Sequence, residues 1–312
     1  MIALLIVLLA QTQPADKPPD KPMEETKKNI VVLKGVPTSQ LIPIMATMSN
    51  SLGVACSYCH EAAWESDAKP AKGVARRMIR MTRAINDAHY AGKVAVTCNT
   101  CHHGSPKTSD VPLVENAGWN KPATVPLEPQ LPRAEDLFAR YVRALGDLTA
   151  VQNRLTRGVV TGRSGRGDPR SGAFELYQEL PSKTEAKIDL SYPPEANREL
   201  GALFFGGSKL RERYSSVKTI GSDQIRGRSA YVVEAIPTNG GLPERLYFDA
   251  LSGVLLRRHH EVPTLVGVLP AEYDFDDYRT VDGALVPFVM QWSRADYQVT
   301  HRAAEVKQNV TR

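Results

Sequence analysis

Cysteine is scarce in this chain: 312 residues hold four, too few for the dense disulfide framework that holds small secreted domains together. Aromatic residues make up 7%. No Lys/Arg block is interleaved with them, so a net charge of +5 does not describe a nucleic-acid-binding surface. No serine stands in a G-x-S-x-G setting, the acids of the second half are scattered, and His259, His260 and His301 have no metal spacing. That half therefore offers no catalytic constellation, and the chain is not expected to be an enzyme. Disorder is excluded as well, because 42% of the residues are hydrophobic and 23% charged, an ordinary globular balance.

The four cysteines are concentrated. They lie in Cys56-Ser57-Tyr58-Cys59-His60 and Cys98-Asn99-Thr100-Cys101-His102, two copies of C-x-x-C-H. This pattern reads as a c-type haem attachment site. Thiols three residues apart on a turn of helix face the same way, so both can form thioethers to one porphyrin. The next residue then lies under the ring as proximal iron ligand. Rival readings are weaker. A single four-cysteine zinc centre would have to bridge the 38 residues between Cys59 and Cys98, far more than a compact ribbon uses, and needs no histidine after each pair. A thioredoxin-like C-x-x-C belongs near a βαβ pattern, which surrounds neither pair; two structural disulfides remain conceivable in an exported chain. The expected cofactors are two haem c groups, attached at Cys56, Cys59, Cys98 and Cys101, with His60 and His102 on the irons.

The chain opens with an apolar run, residues 1–10, that then turns polar at Gln11. It is too short to span a bilayer as a helix and suits the core of a signal peptide, although the usual positive start is missing. The expected location is periplasmic, with a weak membrane tether if the segment is retained. Residues 11–29, rich in Pro, Lys and acids, read as a flexible linker. Residues 30–110 form the expected haem domain, residues 111–132 a Pro-rich strap, and residues 133–312 a second domain.

Two helices are signalled ahead of the pentads. One is capped by Thr38 or Ser39, carries Leu41, Ile44 or Met45, Met48 and Leu52 on one face, and ends at Gly53. The other follows Pro70 and runs from about Ala71 to Tyr90, with an apolar stripe of Val74, Met78, Met81 and Ile85 and a basic face of Arg76, Arg80 and Arg83. Each unit is thus a helix with M-x-x-M, a connector, then C-x-x-C-H. Met45, Met48, Met78 and Met81 are four of the seven methionines. A Met stripe is usually core packing, but here the neighbouring core object would itself be a haem. A histidine–methionine pair raises a haem's potential and leaves no open position on iron. Spacing alone does not choose within each methionine pair.

The segment from about Val31 to Pro106 resembles the cytochrome c subunit of photosynthetic reaction centres, and most closely its two-haem relatives. The resemblance rests on Met45-Ala-Thr-Met-Ser-Asn-Ser-Leu-Gly-Val-Ala-Cys-Ser-Tyr-Cys-His60, on residues 75–86, and on Val96-Thr-Cys-Asn-Thr-Cys-His-His-Gly104. In that family each haem takes its distal methionine from the helix preceding its own pentad. The resemblance therefore implies Met45 for the haem on Cys56 and Cys59, and Met78 for the haem on Cys98 and Cys101. The chain departs from the full family pattern in having two pentads rather than four and His103 where arginine often stands. His89 does not fall where the family's second histidine ligand would sit and reads as a polar helix end. Arg77, beside Met78, is a candidate partner for a haem propionate; a charged helix face is more often simply solvated.

The second half carries an amphipathic helix, Arg133 to Val151, then short strand-like runs at 158–161, 173–177, 186–190, 230–234, 245–248, 253–256, 271–275, 288–292 and 297–300. The expected fold is therefore multidomain: a mainly α-helical dihaem cytochrome c domain followed by an α+β domain with a curved antiparallel sheet. The helix with Tyr141-Val-Arg-Ala-Leu-Gly146, the strand start Gly158-Val-Val-Thr-Gly162, Leu246-Tyr-Phe-Asp249 and Ser252-Gly-Val-Leu-Leu-Arg257 resemble lipoprotein-carrier-like half-barrels. That resemblance implies an apolar concave face suited to an apolar ligand or a partner. The functional expectation is an exported dihaem cytochrome that passes electrons between protein redox partners, with both irons closed to substrate. Two other readings stay open at this level: a haem enzyme or gas or redox sensor with one open iron, and a lipid-binding protein whose haems report redox state.

Overall fold

The computed structural model describes residues 20–108, 131–164, 168–179, 183–191, 207–294 and 297–311. The opening apolar run and nearly all of the Pro-rich strap lie outside them. The larger part is a ten-stranded antiparallel sheet: β1 (Asn153–Ser164), β2 (Arg170–Glu179), β3 (Lys183–Ile188), β4 (Tyr214–Ile225), β5 (Arg228–Pro237), β6 (Glu244–Asp249), β7 (Leu255–Thr264), β8 (Gly267–Val281), β9 (Ala284–Arg294) and β10 (Tyr297–Gln308). Their order is β3-β2-β1-β10-β9-β8-β7-β6-β5-β4. Every neighbouring pair is consecutive in sequence except β1 and β10, which run in register from Arg154↔Gln308 to Ser164↔Tyr297 around one bulge at Arg157/Gly158. Strand β4 escapes the sequence pattern because it is an edge strand: its apolar residues are few and most of its side chains are exposed.

Helix α5 (Ala134–Leu145) lies on one face of this sheet. Glu135 and Asp136 in its first turn and Arg143 in its last complement the helix dipole. Leu137, Phe138, Tyr141 and Leu145, at helical spacing, are all buried, each contributing about 1.5–3 kcal/mol of transfer free energy. The Phe138 and Tyr141 rings sit 5.2 and 5.7 Å from that of Phe248. Phe174 and Leu176 of β2 share one continuous core with Val233 of β5 and Leu246 of β6. Seven strand spacings of about 4.8 Å separate β2 from β5 in a flat sheet, so these side chains meet one core because the sheet curls around the helix. The helix covers the concave face. Beside Tyr141, Leu145, Phe275 and Tyr278 a space of about 20 Å³ remains, room for about one water.

The N-terminal region is small and helical. Helix α1 (Met23–Thr26) places Met23 at zero exposure in a core with Leu33, Ile44 and Ile79. Residues 20–29 therefore differ from the expected linker: one apolar side chain anchors the segment, Pro22 bridges Pro37, and the Glu24 carboxylate accepts the Gly35 N–H at 2.9 and 3.0 Å. A hydrogen bond from its own backbone N–H, and then that from Gly35, hold the Glu24 carboxyl below its ordinary range. Helix α2 (Leu41–Leu52) follows a 3-10 turn, Thr38–Gln40. Neither Thr38 nor Ser39 caps it; Thr38 donates to the Lys21 carbonyl, and the Asp20 carboxylate accepts from the Ser39 N–H and hydroxyl. Inside α2 the buried hydroxyls of Thr47 and Ser51 donate back to the carbonyls of Pro43 and Thr47, at 2.9 and 2.7 Å, which satisfies them without an outside partner.

Helix α3 (Pro70–His89) begins with proline at its first position, where the missing N–H costs nothing. Its buried face is Ile79, Thr82 and Asn86. The Val74–Met78–Met81–Ile85 stripe lies roughly 100° round the helix from that face and is only partly covered, with Val74 43% and Met81 44% exposed. Core packing among protein side chains is thus not what this stripe does in the structure. The basic face is also more than solvated: Arg76 reaches Asp67 at 2.9 Å and the Asn29 carbonyl at 3.2 Å, and Arg83 reaches the Val32 carbonyl at 3.3 Å. They clamp the lead-in to the helix. The hydrogen bonds from Arg76 and Asn29 hold the Asp67 carboxyl far below its ordinary range.

Candidate functional site

Both pentads are turns of helix, built differently. The first is a 3-10 turn at Cys56–Tyr58, in which the Cys56 carbonyl accepts from the N–H groups of Cys59 and His60 at 3.2 and 3.0 Å. The second is helix α4 (Cys98–His102). Thr97 caps it reciprocally: its hydroxyl accepts the Thr100 N–H, while Thr100 Oγ1 accepts the Thr97 N–H at 3.0 Å. All four thiols are free, and no group of three or more His, Cys, Asp or Glu gathers as a metal site among the described residues. The two pairs therefore stand as separate sites rather than one four-cysteine centre.

The histidines share a feature that sequence does not display. His60 Nδ1 lies 3.1 Å from the Trp64 carbonyl, and His102 Nδ1 lies 2.9 Å from the Ser105 carbonyl. A carbonyl oxygen only accepts, so each Nδ1 carries a proton. In the neutral ring that leaves the lone pair on Nε2, the tautomer an iron ligand needs. The Trp64 ring packs 5.0 Å from the His60 ring, and Lys72 donates to the same Trp64 carbonyl at 2.9 Å. The Lys69 ammonium donates to the Ser57 carbonyl inside the first pentad.

One thiol of each pair is sheltered and the other is open: Cys59 and Cys98 against exposed Cys56 and Cys101. Burial pushes the Cys59 and Cys98 thiols up from their ordinary range. The methionines divide too. Met45 and Met48 are half-buried against the Ile44 core, whereas Met78 lies on the open stripe of α3 beside exposed Arg77. Eight of the exposed large apolar side chains fall between residues 31 and 94: Val31, Ile42, Tyr58, Trp64, Val74, Met81, Tyr90 and Val94.

Three positioning residues were not foreseen from sequence. Buried Asn86 donates to the Val96 carbonyl at 2.8 Å and accepts the N–H groups of Ala95 and Val96 at 3.2 and 2.8 Å, pinning to α3 the strand of chain that enters the second pentad. Thr97 had a local signal in T-x-x-T, the capping-box spacing. Val266, whose carbonyl accepts the Cys98 N–H at 3.4 Å, had none, since it lies in the far half of the sequence. His103 is the exposed left-handed residue that ends α4, and His89 the exposed end of α3. His259, His260 and His301 lie on β7 and β10, apart from both pentads.

A small helical region with two histidine-terminated cysteine pairs, each histidine directing Nδ1 at a nearby carbonyl, is an arrangement suited to covalent haem attachment. The comparisons with known proteins agree: residues 7–137 match the model of the family described as Photosynthetic reaction centre cytochrome C subunit. The chain is 31% identical over 88 residues to a photosynthetic reaction center cytochrome c subunit from Rubrivivax gelatinosus, covering 27% of this chain and 24% of that protein. It is 36% identical over 86 residues to cytochrome c-554 from Chloroflexus aurantiacus, covering 25% and 20%. The matches thus span about a quarter or less of either relative. Solved structures similar to the sheet include a DUF1329 family protein from Desulfovibrio piger, at 11% identity over 57% of this chain and 94% of that one, TM-score 0.41. Another is a LolA superfamily protein from Nitrosomonas europaea, at 9% identity over 58% and 96%, TM-score 0.41.

Proposed function

We propose that the chain is an exported, periplasmic dihaem cytochrome c that carries electrons between protein redox partners. In this reading residues 30–110 are a mainly α-helical haem domain, residues 111–132 a strap, and the sheet a partner domain. Cys56 and Cys59 would hold one haem through thioethers, with His60 and Met45 supplying nitrogen and sulfur to its iron. Cys98 and Cys101 would hold the second, with His102 and Met78 in the same roles. Bound there, haem supplies an iron that gains or loses one electron at a time. The chain's own residues do the rest. Trp64 and Ser105 carbonyls fix the histidine tautomers, the open stripe of α3 supplies an apolar wall and the Met78 sulfur, and Arg77 is placed to meet a propionate.

The observation that carries this reading is the pair of Nδ1–H···O=C contacts at 3.1 and 2.9 Å. A cysteine-only zinc site or two disulfides would leave both histidine rings without a reason to be so oriented. Sulfur from Met45 and Met78 would leave no position on either iron for substrate, and that is the ground for reading electron carriage rather than an enzyme or gas sensor. The test is an absorption spectrum with a pyridine-haemochrome count on protein made in a host with c-haem maturation. Two covalent haems per chain with the sulfur-to-iron charge-transfer band are expected. Two haems without that band, together with rapid carbon monoxide binding on reduction, would favour the enzyme or sensor; no haem would reject the reading.

A further inference from the structure

The hydrophobic core of the haem-attachment region contains two residues from the other end of the chain. Between β7 and β8 the turn Thr264-Leu265-Val266-Gly267 leaves the sheet and enters the core built by Met23, Leu33, Ile44, Ile79 and Cys98. Val266 is 1% exposed there, and Leu265 is partly buried beside it. The Val266 carbonyl accepts the Cys98 N–H at 3.4 Å, at the first residue of the second pentad. Gly267, at φ +140°, lies so close that a β-carbon would stand 3.2 Å from Thr97 Cβ and 3.5 Å from Thr47 Cγ2. It therefore touches both the cap of α4 and helix α2. The turn is braced from within: Thr264 Oγ1 donates to the Gly267 carbonyl at 2.6 Å and accepts the Val266 N–H at 3.3 Å. At the first pentad, by contrast, Cys56, Ser57 and Tyr58 are exposed among the described residues.

We propose that the β7–β8 turn, through Val266, is a positioning element of the second haem-attachment site, and that it ties the packing of the sheet to the reduction potential of the haem on Cys98 and Cys101. This rests on the dihaem reading above. The physical link is local polarity. An apolar side chain sealed against the attachment turn keeps water from that edge of the site, and a drier surrounding disfavours the more highly charged ferric form. A side chain that fixes Cys98 and its cap also fixes where the thioether and His102 are presented. The sheet thereby backs the second attachment turn directly and meets the first unit only through helix α2.

The test is a spectroelectrochemical titration of the full holoprotein as wild type, Val266→Ala and Val233→Ala. Val233 is fully buried in the sheet core around α5 and serves as the control for general loosening. The expected result is a downward shift of one potential in Val266→Ala, with the other unmoved and both unmoved in Val233→Ala. Unchanged potentials in Val266→Ala, or equal shifts of both haems, would overturn the proposal. So would the same shift in Val233→Ala. Should Val266→Ala fail to fold, Val266→Thr keeps the shape and introduces a dipole, with the same shift expected and the same outcomes against it. A haemochrome count on each sample separates these results from failure of the dihaem reading, which would appear as wild-type protein without two covalent haems.

Discussion

Gly53 and Gly104 touch backbone to backbone: a β-carbon on Gly53 would stand 2.1 Å from the Gly104 carbonyl oxygen. Gly53 ends α2 in the left-handed conformation, at φ 64°, three residues before the first pentad. Gly104 follows the second pentad, and its N–H donates to the Ser51 carbonyl at 2.9 Å. The two attachment turns are therefore joined through the end of one helix. Gly53→Ala would add a left-handed strain of about 1–2 kcal/mol to a contact that backbone atoms cannot relieve. Gly104→Ala meets open space and carries the conformational strain alone. Urea unfolding should show Gly53→Ala to be the less stable of the two; equal loss would mean that the close approach does not matter.

The methionine assignment separates four variants. Met45→Ala and Met78→Ala should each abolish the charge-transfer band of one haem and lower its potential by a readable fraction of the roughly 0.8 V that axial ligands span. Each should also open that iron to carbon monoxide. Met48→Ala and Met81→Ala should leave both bands in place. A reversed pattern within either pair would move the ligand to the other methionine.

A buried ion pair braces the sheet at β6 and β7. Arg258 donates to Glu244 at 2.6 and 2.7 Å, and the Tyr214 hydroxyl donates to the same carboxylate at 2.7 Å. Burial alone would raise the Glu244 carboxyl, but the bonds and charge of Arg258, helped by Tyr214, hold it below its ordinary range. Glu244→Gln leaves a buried guanidinium without its counter-charge and should cost about 3–5 kcal/mol. The double variant Glu244→Leu with Arg258→Met should recover much of that loss in denaturant titrations. If the double variant is no better than the single one, the penalty does not come from the stranded charge.

His301 gives a pH signature. It is 2% exposed, with its ring edge-on to Phe174 at 5.0 Å, and burial pushes its pKa down to about 4. The unfolded imidazole titrates near 6.5, so between these values the unfolded state holds more protons. Stability should be level above pH 6.5 and fall as pH drops toward 4, by about 2 kcal/mol between pH 7 and pH 5. His301→Leu should flatten that slope, measured as urea midpoints at the two pH values; an unchanged slope would assign the proton elsewhere.

The attachment chemistry was legible because it is local: five adjacent residues carry both thiols and the imidazole. Periodicity also announced α3 and its Met78–Met81 stripe, yet not which face of the helix the protein core would take. Ile79, Thr82 and Asn86 took it because a buried asparagine there can satisfy three backbone groups of the chain entering the second pentad. Met23 looked like one apolar residue in a polar linker, and only the core it enters reveals its part. Most strands were visible as β-branched and aromatic runs; β4 was not, since an edge strand buries little. The seat of Val266 beside Cys98 was beyond reach, because nothing in a turn sequence names the distant surface it will meet.

The strand order has a consequence for biogenesis. Because β1 is flanked by β10, the sheet cannot close until the last strand has been made, and the β7–β8 turn gains its support late. The attachment cysteines are translated well before either. During that interval Cys98 lacks Val266, with which it shares a core in the finished chain. Chain order thus orders the packing, with the helical region made first and its core completed last.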